Sequence, residues 1–292
     1  EFRRVLFRSP VGAARLFVAG ELERRRRPMP GFHLGASDPY RVGLTADSVT
    51  RLVSLLAERG LDAGRADPYA LDNPLGNLFA RVDMPLGGAH DLSVRYNLIS
   101  AERDVAPNRL GFDLYGLTSA GTRLESRTHG VVAQVTSELA ARTTNVLSLN
   151  VQHTADATRG GGQPAVEVLV RGTVQDTIPL ERRVLAGGDP LAHDDALDQT
   201  LVQLTEHVSH AVGDHLFTVG LDGSWFGIRR RFLPASRGLW RYPSLAALEA
   251  GEPEAYERLV LQGGVDPDID FSLLQLAGFV QDEWSVSDAL SL

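Results

Sequence analysis

NLFARVDMPLGGAHDLSVRYN, Asn77 to Asn97, decides how the chain folds. Leu78, Ala80, Val82 and Met84 alternate with Phe79, Arg81 and Asp83; then Leu92, Val94, Tyr96 and Leu98 alternate with Ser93, Arg95 and Asn97. A period of two is that of a β-strand, whose successive side chains point to opposite faces. The joint, PLGGA at Pro85 to Ala89, is a short glycine-containing turn, so the two segments read as an antiparallel hairpin.

Outward from this hairpin the same unit recurs. Ala133, Val135, Ser137 and Leu139 alternate with Gln134, Thr136 and Glu138, and after AARTT come Leu147, Leu149 and Val151 alternating with Ser148, Asn150 and Gln152. A third hairpin runs through Val202 and Leu204, turns at Val212-Gly213-Asp214, and leaves through Phe217, Val219 and Leu221. A fourth begins at GFVQDEWSV, Gly278 to Val286, and turns at Ser287-Asp288-Ala289, while RLFVAGELE from Arg15 supplies a further strand. Between hairpins lie long connections rich in Gly, Pro and Asp: Pro30 to Asp72, Ala101 to Arg123, and Gly160 to Asp198, the last with further strand expected around Val166 to Val174. Two helices are expected in such loops. One is Thr45 to Arg59, with Thr45 as N-cap and Gly60 as stop; the other is Ser244 to Ala250, before Gly251.

Composition narrows the function. The 292 residues are 43% hydrophobic and 23% charged, an ordinary globular balance that excludes wholesale disorder. No cysteine is present, which removes disulfide scaffolds, thiolate metal sites and cysteine nucleophiles. Every basic side chain other than histidine is arginine, so P-loops and Schiff-base lysines are excluded as well. A net charge of -8 argues against nucleic acid as a partner. The first nine residues, EFRRVLFRS, are encodable as GAG TTC AGA CGT GTG CTC TTC CGA TCT, which looks like the end of a sequencing adapter. Residues 1–9 are therefore expected to be an artefact, with residues 10–292 an internal piece of a longer protein.

Alternating segments of roughly ten residues, short turns at one end and long loops at the other are the pattern of a transmembrane β-barrel. Closure is required there, because an open edge in hydrocarbon leaves backbone groups unpaired. The expected fold is all-β: a partial antiparallel barrel, roughly ten strands of a larger one, with short helices in long loops. On this reading Leu92, Val94, Leu147, Leu149, Val219 and Leu221 face lipid, whereas Arg95, Asn97, Asn150, Gln152, Thr218 and Asp222 face the lumen. Tyr96, Trp225 and Trp284 suit interfacial girdles. A soluble two-sheet protein predicts the same alternation, so the periodicity leaves it open.

With the hairpins laid out, the chain resembles the barrel of a TonB-dependent outer-membrane receptor, in the branch carrying an N-terminal carboxypeptidase-regulatory-like domain. The resemblance rests on RLFVAGELERRR (Arg15 to Arg26), NLFARVDMPLGGAHDLSVRYN, QLTEHVSHAVGDHLFTVGLD (Gln203 to Asp222), YPSLAALEAGEPEAY (Tyr242 to Tyr256) and GFVQDEWSVSDALSL (Gly278 to Leu292), in that order. It implies residence in the outer membrane of a Gram-negative bacterium, contact with its lipid, and energy-coupled uptake of an unidentified ligand. The signal sequence, TonB box and plug would precede Pro10, so contact with the TonB complex would run through that region. A passive porin and a soluble β-rich binding or hydrolytic protein are the alternatives; long loops with helices favour capture of a ligand over passive diffusion.

No catalytic residue, metal or cofactor is expected. His207 and His210, three apart on a strand, point to opposite faces and are expected to be structural or interfacial, with His215. His193-Asp194-Asp195 is expected to be a solvated loop cluster rather than a calcium site, and Gly160-Gly161-Gly162 a flexible loop rather than a phosphate cradle. Arginines gather at the long-loop end: Arg24, Arg25, Arg26 and Arg27 on the first strand, Arg229, Arg230 and Arg231 above the Gly213 turn, with Arg103, Arg127 and Arg159 at similar height. Guanidinium forks there would meet lipopolysaccharide phosphates or an anionic ligand; solvated charge is the competing expectation.

Overall fold

The computed structural model describes residues 2–34, 43–109, 114–174, 178–287 and 290–292. Eight long strands carry the fold: β2 (Ala14–Pro28), β3 (Ala70–Gly87), β4 (His90–Val105), β6 (Thr122–Ala140), β7 (Thr143–Arg159), β10 (Asp195–Val212), β11 (His215–Phe232) and β14 (Asp268–Ser287). Together with β1 (Phe2–Val11) and β15 (Leu290–Ser291) they form one antiparallel sheet, in the order β1-β2-β3-β4-β6-β7-β10-β11-β14-β15. The long strands run 15 to 20 residues, well beyond the roughly ten of the alternating segments, because each continues past its apolar stretch into charged sequence.

The turns fall where alternation breaks. Gly87 and Gly88 take φ of 98° and 60°, and Gly213 takes 57°, left-handed values that favour glycine. β14 begins ten residues earlier than the alternation at Gly278 indicates. Its first half, DIDFSLLQLA, places Phe271 and Leu273 on one face and Leu274 and Leu276 on the other, so no period of two is visible there. Asp288 and Ala289 of the expected last turn lie outside the described residues. The expected adapter residues are drawn into the sheet, with Phe2–Val11 paired along β2. An edge strand offers backbone groups to any extended neighbour, whatever that neighbour's origin.

The four long connections build a second body. They contribute β5 (Leu114–Gly116), β8 (Ala165–Val174), β9 (Ile178–Gly187), β12 (Leu239–Tyr242) and β13 (Ala255–Glu257), which join in a five-stranded sheet of order β13-β12-β8-β9-β5. Helix α1 (Ala46–Ala57) starts at Thr45, whose hydroxyl accepts from the Ser48 N–H. Helix α2 (Leu245–Ala250) is capped by Ser244 and closed by Gly251 at φ 73°. Both helices were legible; of this sheet, only the β8 region was. Leu52, Leu56, Tyr115, Val168, Val184 and Leu248 are fully buried at its centre. Among the described residues, Leu71 is the one buried hydrophobic side chain that a long strand contributes.

Candidate functional site

Directly paired residues in an antiparallel sheet lie on the same face, so the register sorts every side chain. Val94 pairs with Val82 and Ala133, Ala133 with Leu149, and Leu149 with Leu204. Leu92 leads through Val135 and Leu147 to Glu206 and Leu221, and Val219 pairs with Val208. Leu92, Val94, Leu147, Leu149, Val219 and Leu221 thus share one face, the apolar face. Leu149, Val219 and Leu221 stand exposed on it. Glu206 interrupts it, accepting from Asn145 Nδ2 at 3.1 Å.

Arg95, Asn97, Asn150, Gln152, Thr218 and Asp222 share the other face. Asp222 accepts from Gln203 Nε2 at 3.0 Å and from Thr205 Oγ1 at 2.9 Å. Thr128 bonds Thr154 at 3.0 Å, and Ser209 bonds Thr218 at 2.9 Å. Asn73 Oδ1, Asn77 Oδ1 and Arg95 Nε are shielded there with no protein partner. Buried polar atoms are generally hydrogen-bonded, so this face is built to meet water or a second surface. It is not uniformly polar: Phe17 packs edge-on against Phe79 at 5.9 Å, and Phe226 pairs with Leu201 and Leu273 towards the loop end.

Aromatic side chains bracket the apolar face. Near the turns, His215 stacks between Phe217 and Trp284, with centroids at 5.7 and 5.5 Å. At the upper border stands Trp225, with Tyr96 bonding His129 at 2.8 Å. Trp284 is level with His215. The ten residues from there to Trp225, at about 3.3 Å each and a tilt near 40°, span about 25 Å, the height of an outer-membrane apolar band.

Above that band the apolar face becomes a belt of ion pairs. Arg24 and Arg26 both reach Asp72; Arg123 binds Asp104 and Glu102; Arg159 meets Glu125 at 3.4 Å. Arg229 bonds Asp270 at 3.0 Å and Arg231 bonds Asp268 at 2.6 Å. The two arginine clusters expected at one rim are therefore split between faces: Arg25, Arg27 and Arg230 point to the polar side, where Arg25 pairs with Glu23 and Arg230 with Asp195 at 2.6 Å. The carboxylates that engage these guanidinium groups come largely from neighbouring strands, a pairing that spacing along the chain did not reveal. Arg103 also lies on the polar side, paired with Leu124, whereas Arg127 is exposed on the apolar side, paired with Ser100.

The loop body and strand β10 hold the remaining expected sites. His193 is only 3% exposed, not solvated; its Nδ1 accepts from the Arg237 N–H at 3.2 Å, and burial pushes its pKa down. Asp195 accepts from Thr158 at 2.8 Å, which ties it to strand β7. His207 and His210 fall on opposite faces, and His210 bonds Thr143 at 2.8 Å. Sequence reasoning missed Arg109, which is 1% exposed. Its Nε donates to Gly116 O at 2.7 Å, Nη1 to Ala66 O at 2.6 Å and Nη2 to Arg65 O at 3.0 Å, with the guanidinium 4.8 Å above the Tyr115 ring. Burial lowers its pKa and raises that of Tyr115. One arginine thereby joins two of the long loops, a role no local sequence pattern announces.

No family model and no curated protein sequence matches the chain. Among solved structures, the outer membrane transporter YddB from Escherichia coli is similar, with a TM-score of 0.61 over 97% of this chain, at 9% sequence identity. The chain spans 31% of that transporter's length. In fold, the molecule is a large antiparallel β-sheet that matches part of an outer-membrane β-barrel.

Proposed function

We propose that the chain is part of the barrel of a TonB-dependent outer-membrane receptor that takes up a ligand by energy-coupled transport. The observation that carries this reading is the division of one sheet into an apolar face, bracketed by Trp225 and the His215–Trp284 stack, and a hydrogen-bonded polar face. The apolar face meets lipid, the polar face lines a wet lumen, and the loop body lies outside the membrane, where ligand is captured. A packed loop core favours capture over a passive porin, because rigid loops hold a binding surface in place at lower entropic cost. Contact with the TonB complex runs through the region preceding the barrel, and no enzymatic step is required of these strands.

The test is spin-label accessibility in the full-length protein reconstituted in lipid. Labels at Val94, Leu149 and Val219 are expected to meet oxygen in the bilayer, and labels at Asn97, Asn150 and Thr218 a water-soluble relaxant; equal exposure of both sets would sink the assignment. Energy coupling is read separately, by co-purification of TonB with the full-length protein.

A further inference from the structure

At the upper border of the apolar face, three registered rows change from apolar to small to charged. The lowest runs Val151, Val202, Trp225, Leu274; the middle one His153, Thr200, Gly227, Ser272; the uppermost Ala155, Asp198, Arg229, Asp270. A groove of about 650 Å³ opens along the middle row, with Trp225 on one side and Asp198, Arg229 and Asp270 on the other. Its size is that of a small-molecule site. A Cβ on Gly227 would come within 2.6 Å of the Trp225 indole, so the glycine makes room for that ring to lean into the groove, where Trp225 stays 41% exposed. The polar groups around it are mixed in character. Arg229 is engaged by Asp270 at 3.0 Å, His153 bonds Thr200 at 3.0 Å, and Asp198 stands 3.9 Å from His153 Nε2. Two carboxylates against one guanidinium disfavour an anion. An exposed aromatic ring among hydrogen-bond donors and acceptors fits instead a neutral ring that is apolar on its faces and hydroxylated at its rim, as a pyranose is. Below the groove the surface continues as exposed leucines: Leu274 and, one row lower, Leu204 and Leu276.

We propose that this groove seats a sugar ring of a glycolipid headgroup, stacked on Trp225, with its hydroxyls bonded by Asp198, Asp270 and Ser272 and its acyl chains lying on Leu204, Leu274 and Leu276. The continuity of groove and leucines selects an acylated sugar over a free one. The inference rests on the apolar face meeting lipid, and its test keeps the two apart. The probe is a phosphate-free acylated glucosamine disaccharide, added to the full-length protein in nonionic detergent, with bound probe counted by native mass spectrometry. Phosphatidic acid and the free disaccharide are the competitors, and Trp225→Leu, Trp225→Phe and Asp198→Ala the variants.

Expected is binding of the probe to the unaltered protein, weakened roughly tenfold in Trp225→Leu and in Asp198→Ala and largely kept in Trp225→Phe. Leucine keeps apolar bulk and phenylalanine keeps the ring, so a tryptophan that only packed at the border would not separate those two variants. Neither competitor should displace the probe at equal concentration. Equal binding to Trp225→Leu and the unaltered protein, or no binding at all, overturns the seat. Displacement by phosphatidic acid overturns recognition of a sugar, and displacement by the free disaccharide overturns the glycolipid as its source. If spin labels at Leu149 and Val219 of the lipid-reconstituted protein meet oxygen, these failures strike the seat alone; if they do not, the lipid-facing reading falls with it.

Discussion

The ten-stranded sheet and the body built from its long loops belong to one chain but are held together differently. The loop body has a dry centre, with Leu52, Val168 and Leu248 fully enclosed, and its cohesion is that of a soluble domain, driven by apolar burial. The sheet has almost no interior; its apolar side chains stand side by side on one outward face, where Leu221 is 63% exposed. Its cohesion comes from backbone ladders and cross-strand hydrogen bonds and, on the proposed reading, from lipid against the apolar face. A hydrophobic side chain in the loop body is thus a core residue, and one in the sheet is an address.

The contrast breaks most visibly at Arg109. Replacing it by alanine strands the carbonyls of Arg65, Ala66 and Gly116, each at about 1–3 kcal/mol. Hydrogen exchange should then show loop amides opening while those of β3 and β4 stay protected; uniform deprotection would mean that the two bodies are one cooperative unit. Leu52→Ala, deleting fully buried volume, is expected to cost about 2–5 kcal/mol in the same amides. For the sheet, an arginine at Val94 in lipid should cost roughly 2–4 kcal/mol while one at Asn97 costs little, as read by equilibrium unfolding in vesicles. Comparable costs would erase the distinction between its faces.

Acid sharpens the same comparison. His193 is held neutral by burial, so its folded pKa lies below the ordinary value near 6.5. The unfolded state takes the proton first, and the stability this group contributes, present in full above about pH 6.5, is lost as pH falls towards the folded pKa. Loop amides should lose protection in that window, and His193→Gln should flatten the dependence. The smallest effect is expected at the rim: Arg229→Gln or Arg231→Gln removes an exposed, solvent-screened ion pair and should leave the unfolding midpoint nearly unchanged. If replacing Arg24 to Arg27 and Arg229 to Arg231 together also strips lipopolysaccharide from the purified full-length protein, those guanidinium groups serve lipid phosphates beyond their own carboxylates.

The part of the fold that alternation encodes was legible, because a strand between two unlike media must repeat every second residue. The face assignments from Leu92 to Asp222 follow from that rule, and the register brings each set together. The loop sheet was mostly illegible because its other strands are short or paired at long range. β8 alternates, with Val166, Val168 and Val170 enclosed, and could be read; but β5, β12 and β13 are only three or four residues long, and β12 joins β8 from some seventy residues away in a parallel pairing. Neither periodicity nor a nearby turn marks such a contact. The arginine belt was legible as charge and not as ion pairs, since Asp72 and Asp268 reach Arg24 and Arg231 only across strands.

The two parallel pairings, β5 with β9 and β12 with β8, also set an order of events. Hairpins such as β3–β4 and β10–β11 close over a few residues, whereas each parallel contact must first gather segments from different loops. Loop-closure entropy makes distant contacts the slower ones. The hairpins of the sheet therefore lead, and the loop body condenses only after all four connections have been delivered to the same side. If the sheet inserts into a membrane as proposed, that schedule keeps the bulky body from forming where it would still have to be carried across.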